Sequence, residues 1–190
     1  MKKIMFNDKY DLTQAVLEGR KTMTRRIVPD GTPLGNWAET ESKSRYKVGD
    51  VVAVAQSYEE IRDERHKDFC NDIYNPFGAK EPDLEDEPGW NNKMFVKADL
   101  MPHQIRITNV RVERLQDIDE EGCLKEGIVR CTCNLFEFRG ICYTYDGDKN
   151  KWGTHTTPQQ AFAALIDKVS GKGTWESNPY VFVYEFELVK

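Results

Sequence analysis

The chain turns from a helical pattern to a strand-like one at Gly19-Arg20-Lys21-Thr22-Met23-Thr24-Arg25-Arg26, where four of eight residues are cationic. A glycine at this point is typical of a helix end, because glycine adopts the left-handed conformation without strain. Basic residues after a helix often do no more than offset the negative end of its dipole. In a chain with a net charge of -5, the same cluster also predicts a local site for an anionic ligand.

Composition favours one domain of ordinary size. The 190 residues are 39% hydrophobic and 31% charged, and none of the apolar runs approaches the length of a membrane span. The N-terminal residues do not resemble a signal peptide. Five cysteines without a disulfide-framework spacing favour free thiols in a reducing compartment. We therefore expect one cytoplasmic domain over residues 1–190, without contact to a membrane.

Metal and cofactor signatures are weak in this sequence. Cys131, Cys133, Cys142 and His155 are the residues that suggest zinc, but paired zinc cysteines are usually two to four residues apart. Small apolar side chains facing a core explain these cysteines as well. The sequence has no dinucleotide fingerprint, phosphate-binding loop or metalloprotease motif. We expect neither a metal nor a cofactor.

The clearest strand signal is the alternation of apolar and polar residues from Ile105 to Leu115. The alternation slips near Asn109, which predicts a β-bulge there. Val51 to Tyr58 is typical of a buried strand. Other strands are expected at residues 3–6, 24–28, 94–98 and 180–188, with a hairpin within 129–145.

Three helices are predicted from their caps. Asn7 or Asp8 begins the first, which runs through Glu18; the others span Asp119–Glu126 and Thr157 to Gly171, the last with Pro158 at its first position. Residues 32–47 are interpreted as a loop. Residues 59–92 are acidic, contain several prolines and have few apolar residues, so we interpret them as a long polar excursion. The pattern predicts an α+β fold built on a compact barrel.

Histidine chemistry has few candidates, because the chain contains three histidines: His66, His103 and His155. A hydroxyl nucleophile activated by a neutral lysine is an alternative. Such a lysine needs burial or a neighbouring cation to lower its pKa. A carboxylate would complete the site as acid, base or orienting group. Composition alone leaves four candidates open, namely Glu113, Glu120, Glu121 and Glu126.

Five segments in a fixed order resemble one known family. They are Leu17–Arg26, Tyr46–Asp50, Arg106–Ile118, Glu126–Ile128 and Trp175–Val181. Together they are similar to the ASCH superfamily, in its longer bacterial and phage-associated members. The resemblance covers nearly all of the chain except residues 59–92. It implies a PUA-like mixed β-barrel with flanking helices and a cleft between them.

The resemblance also implies a function, which is RNA or nucleoside binding. Small bacterial members hydrolyse N4-acetylcytidine to cytidine and acetate with a lysine, a threonine and a glutamate. Matched residue by residue, these fall on Lys21, Thr24 and Glu126. Thr24 would be the nucleophile, Lys21 its base, and Glu126 the group that handles the leaving amine. A non-catalytic RNA-binding module is the alternative, and a ribonuclease is a further one.

Ligand contacts are expected around these three residues. Arg25, Arg26 and Arg106 are candidates to position phosphate, and Tyr58 or Trp175 to stack a base. Ala55-Gln56-Ser57-Tyr58 stands where longer members of the family often carry Arg-Glu-Thr-Trp, so Gln56 and Tyr58 are candidates to alter the ligand. The structural alternatives are that Trp175 packs against the last strand and that Arg106 pairs with an acid across the sheet.

Overall fold

The computed structural model describes residues 1–69, 87–135, 138–145 and 155–189, and these residues form seven β-strands and six α-helices. The strands are β1 (Lys3–Ile4), β2 (Met23–Ile27), β3 (Val51–Val54), β4 (Gln104–Arg114), β5 (Ile128–Leu135), β6 (Phe138–Tyr145) and β7 (Tyr180–Val189). The helices are α1 (Leu12–Leu17), α2 (Trp37–Ser42), α3 (Tyr58–Phe69), α4 (Glu120–Lys125), α5 (Pro158–Ser170) and α6 (Thr174–Ser177). The predicted α+β class is confirmed.

One five-stranded sheet, in the order β1-β3-β4-β7-β2, carries the site, and β5 pairs with β6 in a separate hairpin. β1 runs parallel to β3, and the other pairs in the sheet are antiparallel. Within the described residues, β1 and β2 are the two edges of the sheet and no closed barrel is formed. The predicted site residues Thr24, Arg25 and Arg26 therefore lie on an edge strand, β2.

The long strand β4 follows its sequence pattern. Ile105 and Ile107 are fully buried, and the register with β7 shifts between Ile107 and Asn109. The predicted bulge near Asn109 is confirmed. Beyond the bulge, Arg111 and Glu113 are two residues apart and so project from the same face of the sheet. The bulge sets which face receives these two charges.

Helix α5 supplies apolar residues to both the core and the site. The Thr157 hydroxyl accepts a hydrogen bond from the Gln160 N–H at 3.2 Å, and Pro158 occupies the first turn. Phe162 and Leu165 are buried among core residues such as Tyr184. The predicted hairpin within 129–145 and the predicted final strand are confirmed as well.

The first helix differs from the prediction because it is broken. A 3₁₀ turn over Asp8–Tyr10 precedes α1, and Asp11 between them has a left-handed φ of 56°. Its predicted end is confirmed, since Gly19 has a φ of 73°.

The prediction of a strand at 94–98 is wrong. Carbonyl groups of this segment accept hydrogen bonds from a side chain and not from a neighbouring strand. The Lys3 ammonium donates hydrogen bonds to the carbonyl oxygens of Lys93, Met94 and Val96 at 2.9, 2.6 and 2.9 Å. Carbonyls that converge on one cation are not spaced along a strand ladder. The segment is instead a turn that packs against β1.

Three helices were not predicted: α2 within the expected loop, α3 at the start of the expected excursion, and α6 before the last strand. The first two follow cap residues: the Asn36 side chain accepts from the Glu39 N–H, and Ser57 and Glu60 form a reciprocal capping box. The Ser57-Tyr58-Glu59-Glu60 signal was present in the sequence. Residues 70–86 of the excursion lie outside the described residues.

The cysteines differ in state from the expectation of free thiols throughout. Cys123 and Cys131 are free, whereas Cys142 is disulfide-bonded. Within the described ranges, no group of three or more histidine, cysteine or acidic side chains is arranged to hold a metal ion. None of the described helices combines the length and the apolar character needed to cross a membrane.

Candidate functional site

The turn after α1 carries Lys21 into the interior of the protein. Its backbone N–H donates to the Ala15 carbonyl at 2.8 Å, and the next N–H, of Thr22, donates to the Lys125 carbonyl at 2.9 Å. These two bonds fix the turn between α1 and the end of α4. The Lys21 residue is only 2% exposed, so its ammonium must be compensated by protein groups.

Glu126 provides that compensation. The Lys21 Nζ lies 2.5 Å from Glu126 Oε2 and 2.8 Å from the Glu126 carbonyl oxygen. Glu126 is itself 4% exposed, and the two residues are 105 positions apart in sequence. The alternative of a solvated helix end for Glu126 is therefore wrong.

Glu126 occupies an electrostatically unfavourable position, the C-cap of α4. A carboxylate at a helix C-terminus faces the negative end of the dipole. The next residue, Gly127, has a φ of 100°, which only glycine adopts without strain. The helix dipole of α4 therefore disfavours a negative charge on Glu126. Neighbouring cations must stabilise the Glu126 carboxylate.

Arg25 is the second cation on Glu126 and connects it to β4. Its Nη1 lies 3.1 Å from Glu126 Oε1, and its Nη2 lies 2.6 Å from Glu113 Oε1. The two Glu126 oxygens are therefore divided between Lys21 and Arg25. The Arg25 guanidinium also lies 5.9 Å from the centroid of the Phe162 ring.

The ionic contacts continue from Glu113 across the sheet. Glu113 Oε2 accepts from Arg111 Nε at 2.9 Å, and Arg111 also contacts Glu185 on β7. Sequence reasoning had Glu113 among four candidate carboxylates, and it missed Arg111 and Glu185. The i, i+2 spacing of Arg111 and Glu113 on β4 is the sequence feature that could have predicted their contact, because residues two apart on a strand share a face.

Gly122 in α4 makes room for this arrangement. A Cβ at this position would lie 2.8 Å from Asp119 Oδ1 and 3.4 Å from Arg25 Nη2. The nearby Cys123 is not a candidate nucleophile, because burial raises the pKa of its thiol to about 12 despite the Arg25 charge. The chemistry of the site therefore falls to its lysine, hydroxyl and carboxylate.

A cavity of about 380 Å³ opens beside these groups, which is within the range of small-ligand sites. Lys21, Thr24, Arg25, Arg26 and Glu126 supply its polar wall. The remaining lining side chains are mostly apolar: Phe6, Leu12, Ile27, Phe162, Leu165, Ile166 and Val169, together with Asn7 and Ser170. A flat apolar group with a polar edge suits such a cavity.

Thr24 is 4% exposed and lines the cavity, and in the described part of the chain its hydroxyl has no hydrogen-bond partner. Arg26 lines the cavity from the same strand. Its guanidinium donates to the Met5 carbonyl and lies 5.9 Å from the centroid of the Phe6 ring. The cavity thus offers a hydroxyl and a cation that are not committed to carboxylates.

Burial lowers the pKa of Lys21 below its ordinary value of 10.5. Glu126 opposes this shift, because its charge and its hydrogen bond favour the ammonium form, whereas Arg26 and Arg25 add to the lowering. The expectation that neighbouring arginines depress the Lys21 pKa agrees with this direction. A lysine with a lowered pKa is closer to the neutral form that a general base requires.

The other four expected ligand contacts, Gln56, Tyr58, Arg106 and Trp175, are not among the residues that line this cavity. The Trp175 ring instead packs edge-on against Phe162. Gln56 is buried, and its Nε2 donates to Glu64 at 3.1 Å. Tyr58 begins α3, where its ring packs against Gly89. Arg106 is exposed and pairs with Glu187 across the sheet at 3.1 Å, the arrangement weighed as its structural alternative.

No protein-family model matches the chain, and no curated protein matches it. Among solved structures, protein EF3133 from Enterococcus faecalis V583, described as DUF984, aligns with all of this chain and 77% of that one. The two share 14% identity, with a TM-score of 0.40. A similarity this weak shows nothing about function. The proposal below rests on the residues that line the cavity.

Proposed function

We propose that the protein binds a modified nucleoside of RNA in the cavity and hydrolyses an N4-acyl group from cytidine. The observation that carries the proposal is that Lys21, Thr24 and Glu126 line one cavity, with Lys21 and Glu126 in direct contact. The apolar walls suit a base, and Arg26 suits its polar edge or a phosphate, since Arg25 is paired with Glu113 and Glu126. A PUA-like fold, whose barrel is open between β1 and β2 in the described residues, and a cytoplasmic location belong to the same proposal.

The Lys21–Glu126 contact supplies the protons for the first step. The resting state is the ion pair, and the shift of one proton from the Lys21 ammonium to the Glu126 carboxylate across their 2.5 Å contact gives the neutral pair that reacts. Neutral Lys21 takes the Thr24 proton through one water as Oγ bonds to the acyl carbon. Protonated Glu126 then gives its proton to the exocyclic nitrogen as the carbon–nitrogen bond breaks. Cytidine leaves, and Thr24 carries the acyl group.

Water completes the cycle and restores the starting state. The Glu126 carboxylate takes a proton from water as the water oxygen bonds to the acyl carbon. The Lys21 ammonium returns its proton to Thr24 Oγ as the ester bond breaks. One amide and one water give one amine and one carboxylic acid. Lys21 ends neutral and Glu126 ends protonated, and return of one proton from Glu126 to Lys21 restores the ion pair.

The experiment is incubation with N4-acetylcytidine, with cytidine and acetate measured separately. Thr24→Val keeps the shape of the side chain and removes the hydroxyl, and we expect it to abolish turnover. Lys21→Met should lower kcat by about 10²- to 10⁴-fold, the range of general acid–base catalysis. Thr40→Val is the matched control, because Thr40 is buried and hydrogen-bonded to the Pro33 and Asn36 carbonyls. It should retain activity.

A non-catalytic RNA-binding module is the second candidate. The cations at the cavity favour it, because the same side chains bind phosphate without any reaction. Saturable cytidine binding by the wild type without acetate release would establish this candidate and exclude the hydrolase. Turnover that persists in Thr24→Val would exclude Thr24 as nucleophile. A ribonuclease would instead cleave RNA and leave N4-acetylcytidine intact.

A further inference from the structure

An exposed aromatic stack lies close to the cavity, on one face of the five-stranded sheet. The Trp37 indole is 46% exposed, and its ring lies 5.3 Å from that of Tyr180 at an angle of 55°. The Arg114 guanidinium lies 3.8 Å from the centroid of the Tyr180 ring. We call these three residues the Trp37 platform.

Within the described residues, the platform carries a positive charge that is not paired with a carboxylate. Arg62 pairs with Asp63 and exposed Arg106 with Glu187, whereas Arg45 and Arg130 are exposed without a carboxylate partner, as Arg114 is. Arg114 Nη1 instead donates to the Asn178 carbonyl at 3.0 Å, and across the described ranges its guanidinium has no carboxylate partner. In an acidic protein, an arginine left unpaired beside an exposed indole is complementary to a phosphate next to a base.

The strand register places the platform next to the cavity. Arg26, which lines the cavity, is directly opposite Phe182, and Tyr180 lies two residues before Phe182 on β7. Residues two apart on a strand share a face, and such diagonal neighbours lie about 7–8 Å apart. The Val28 N–H donates to the Tyr180 carbonyl at 2.9 Å, which ties the two strands together at this point. Adjacent nucleotides of one strand can therefore reach both places.

We infer that the Trp37 platform binds the nucleotide next to the one in the cavity, so that the substrate is single-stranded RNA and not a free nucleoside. This inference rests on the proposed nucleoside site. The neighbouring base stacks on the exposed face of Trp37, and Arg114 contacts the intervening phosphate. The cavity selects the modified base, and the platform adds affinity that does not depend on sequence.

The test compares a fluorescein-labelled cytidine hexanucleotide with cytidine, using fluorescence anisotropy for the first and calorimetry for the second. Trp37→Ala should weaken hexanucleotide binding by about 5- to 100-fold, the range for loss of one stacked base, and leave cytidine binding unchanged. Trp37→Phe should restore most of the loss. Thermal unfolding of each variant verifies that it is folded.

Salt dependence tests Arg114 separately. Arg114→Ala should reduce the slope of log K against log salt by about 0.7, the value for one phosphate of a single strand. Arg62→Ala is the matched control, because Arg62 also stacks on an aromatic ring, at 4.5 Å from the Trp90 centroid, but pairs with Asp63. It should bind the hexanucleotide as the wild type does.

The outcomes separate the two proposals. A hexanucleotide that binds no more tightly than cytidine, or equally well to wild type, Trp37→Ala and Arg114→Ala, overturns the platform and leaves the nucleoside site intact. Hexanucleotide binding that depends on Trp37 while cytidine and N4-acetylcytidine fail to bind overturns the nucleoside site. The assignment of adjacent nucleotides then fails with it.

Discussion

Burial of Lys21 beside Glu126 has two opposing electrostatic effects at the scale of single residues. Desolvation disfavours both charges, and the 2.5 Å contact favours them together. Arg25 adds a second favourable contact to Glu126 at 3.1 Å. The pair is therefore more sensitive to the loss of one partner than to the loss of both.

Glu126→Leu should destabilise the protein by about 3–5 kcal/mol, because it leaves the buried Lys21 ammonium without a carboxylate. Lys21→Met should cost less, because Arg25 still pairs with Glu126. The double variant should lose much less than the sum. Urea unfolding of the wild type, both single variants and the double variant measures the coupling. Losses that simply add would show that the two side chains do not share a buried interaction.

The lowered pKa of Lys21 predicts the direction of two pH effects. Between the folded pKa and the ordinary value of 10.5, the unfolded chain binds the proton more strongly than the folded protein. Stability contributed by this residue should therefore rise with pH through that window. The rate constant kcat/KM for N4-acetylcytidine should fall as the pH rises through the folded pKa, because the proposed reaction uses the one proton that Lys21 and Glu126 share.

Arg26→Met tests one contribution to that shift, of which burial is the largest cause. The Arg26 charge lowers the pKa of Lys21, so its removal should move the fall in kcat/KM to higher pH. The control is Arg106→Met, which removes an exposed arginine paired with Glu187 and away from the cavity. Its profile should match the wild type. An unchanged profile in Arg26→Met would exclude this arginine as an influence on the base.

At the scale of secondary-structure elements, the end of α4 positions the carboxylate. Gly127→Ala should destabilise the protein by about 1–2 kcal/mol, because a φ of 100° strains any residue with a Cβ. It should also reduce turnover, since Gly127 follows Glu126 directly. Gly171→Ala at the end of α5 has a φ of 109° and serves as control. It should lose stability and retain kcat; equal losses of kcat would contradict the positioning role.

Elements with a strong local pattern were predictable. β4 and its bulge follow from alternation, and α5 follows from Thr157 and Pro158. Residues 94–98 were not predictable in the same way, because their conformation depends on the distant Lys3 ammonium. A cation in the tertiary structure overrode a local preference for strand. The break in the first helix, at Asp11 with its left-handed φ of 56°, was also not predictable from the cap residues.

At the scale of the whole molecule, a ligand that fills the cavity should stabilise the fold. Cytidine at 100 times its Kd should add about 2.7 kcal/mol to the free energy of unfolding. Differential scanning fluorimetry across a cytidine titration measures the resulting rise in Tm. Uridine at the same concentrations is the comparison for base selectivity. A Tm independent of cytidine concentration would contradict binding to the native state.

The site could be predicted only in part for a related reason. Lys21, Thr24 and Glu126 came from family resemblance, and the structure lines one cavity with them. The contact of Arg25 with Glu113 spans 88 positions and depends on the placement of β2 and β4 on either side of β7. Residue types and local spacing contain no record of that placement.

The chain leaves the sheet after β3 and returns at residues that are already bonded to its point of departure. The Tyr58 N–H donates to the Gly89 carbonyl at 3.0 Å, and the Glu59 N–H donates to the Trp90 carbonyl at 3.2 Å. A Cβ on Gly89 would lie 2.5 Å from the Tyr58 ring, so the departing and returning segments are closely packed against each other. Insertions and deletions between these anchors can therefore accumulate during evolution while the cavity keeps its shape.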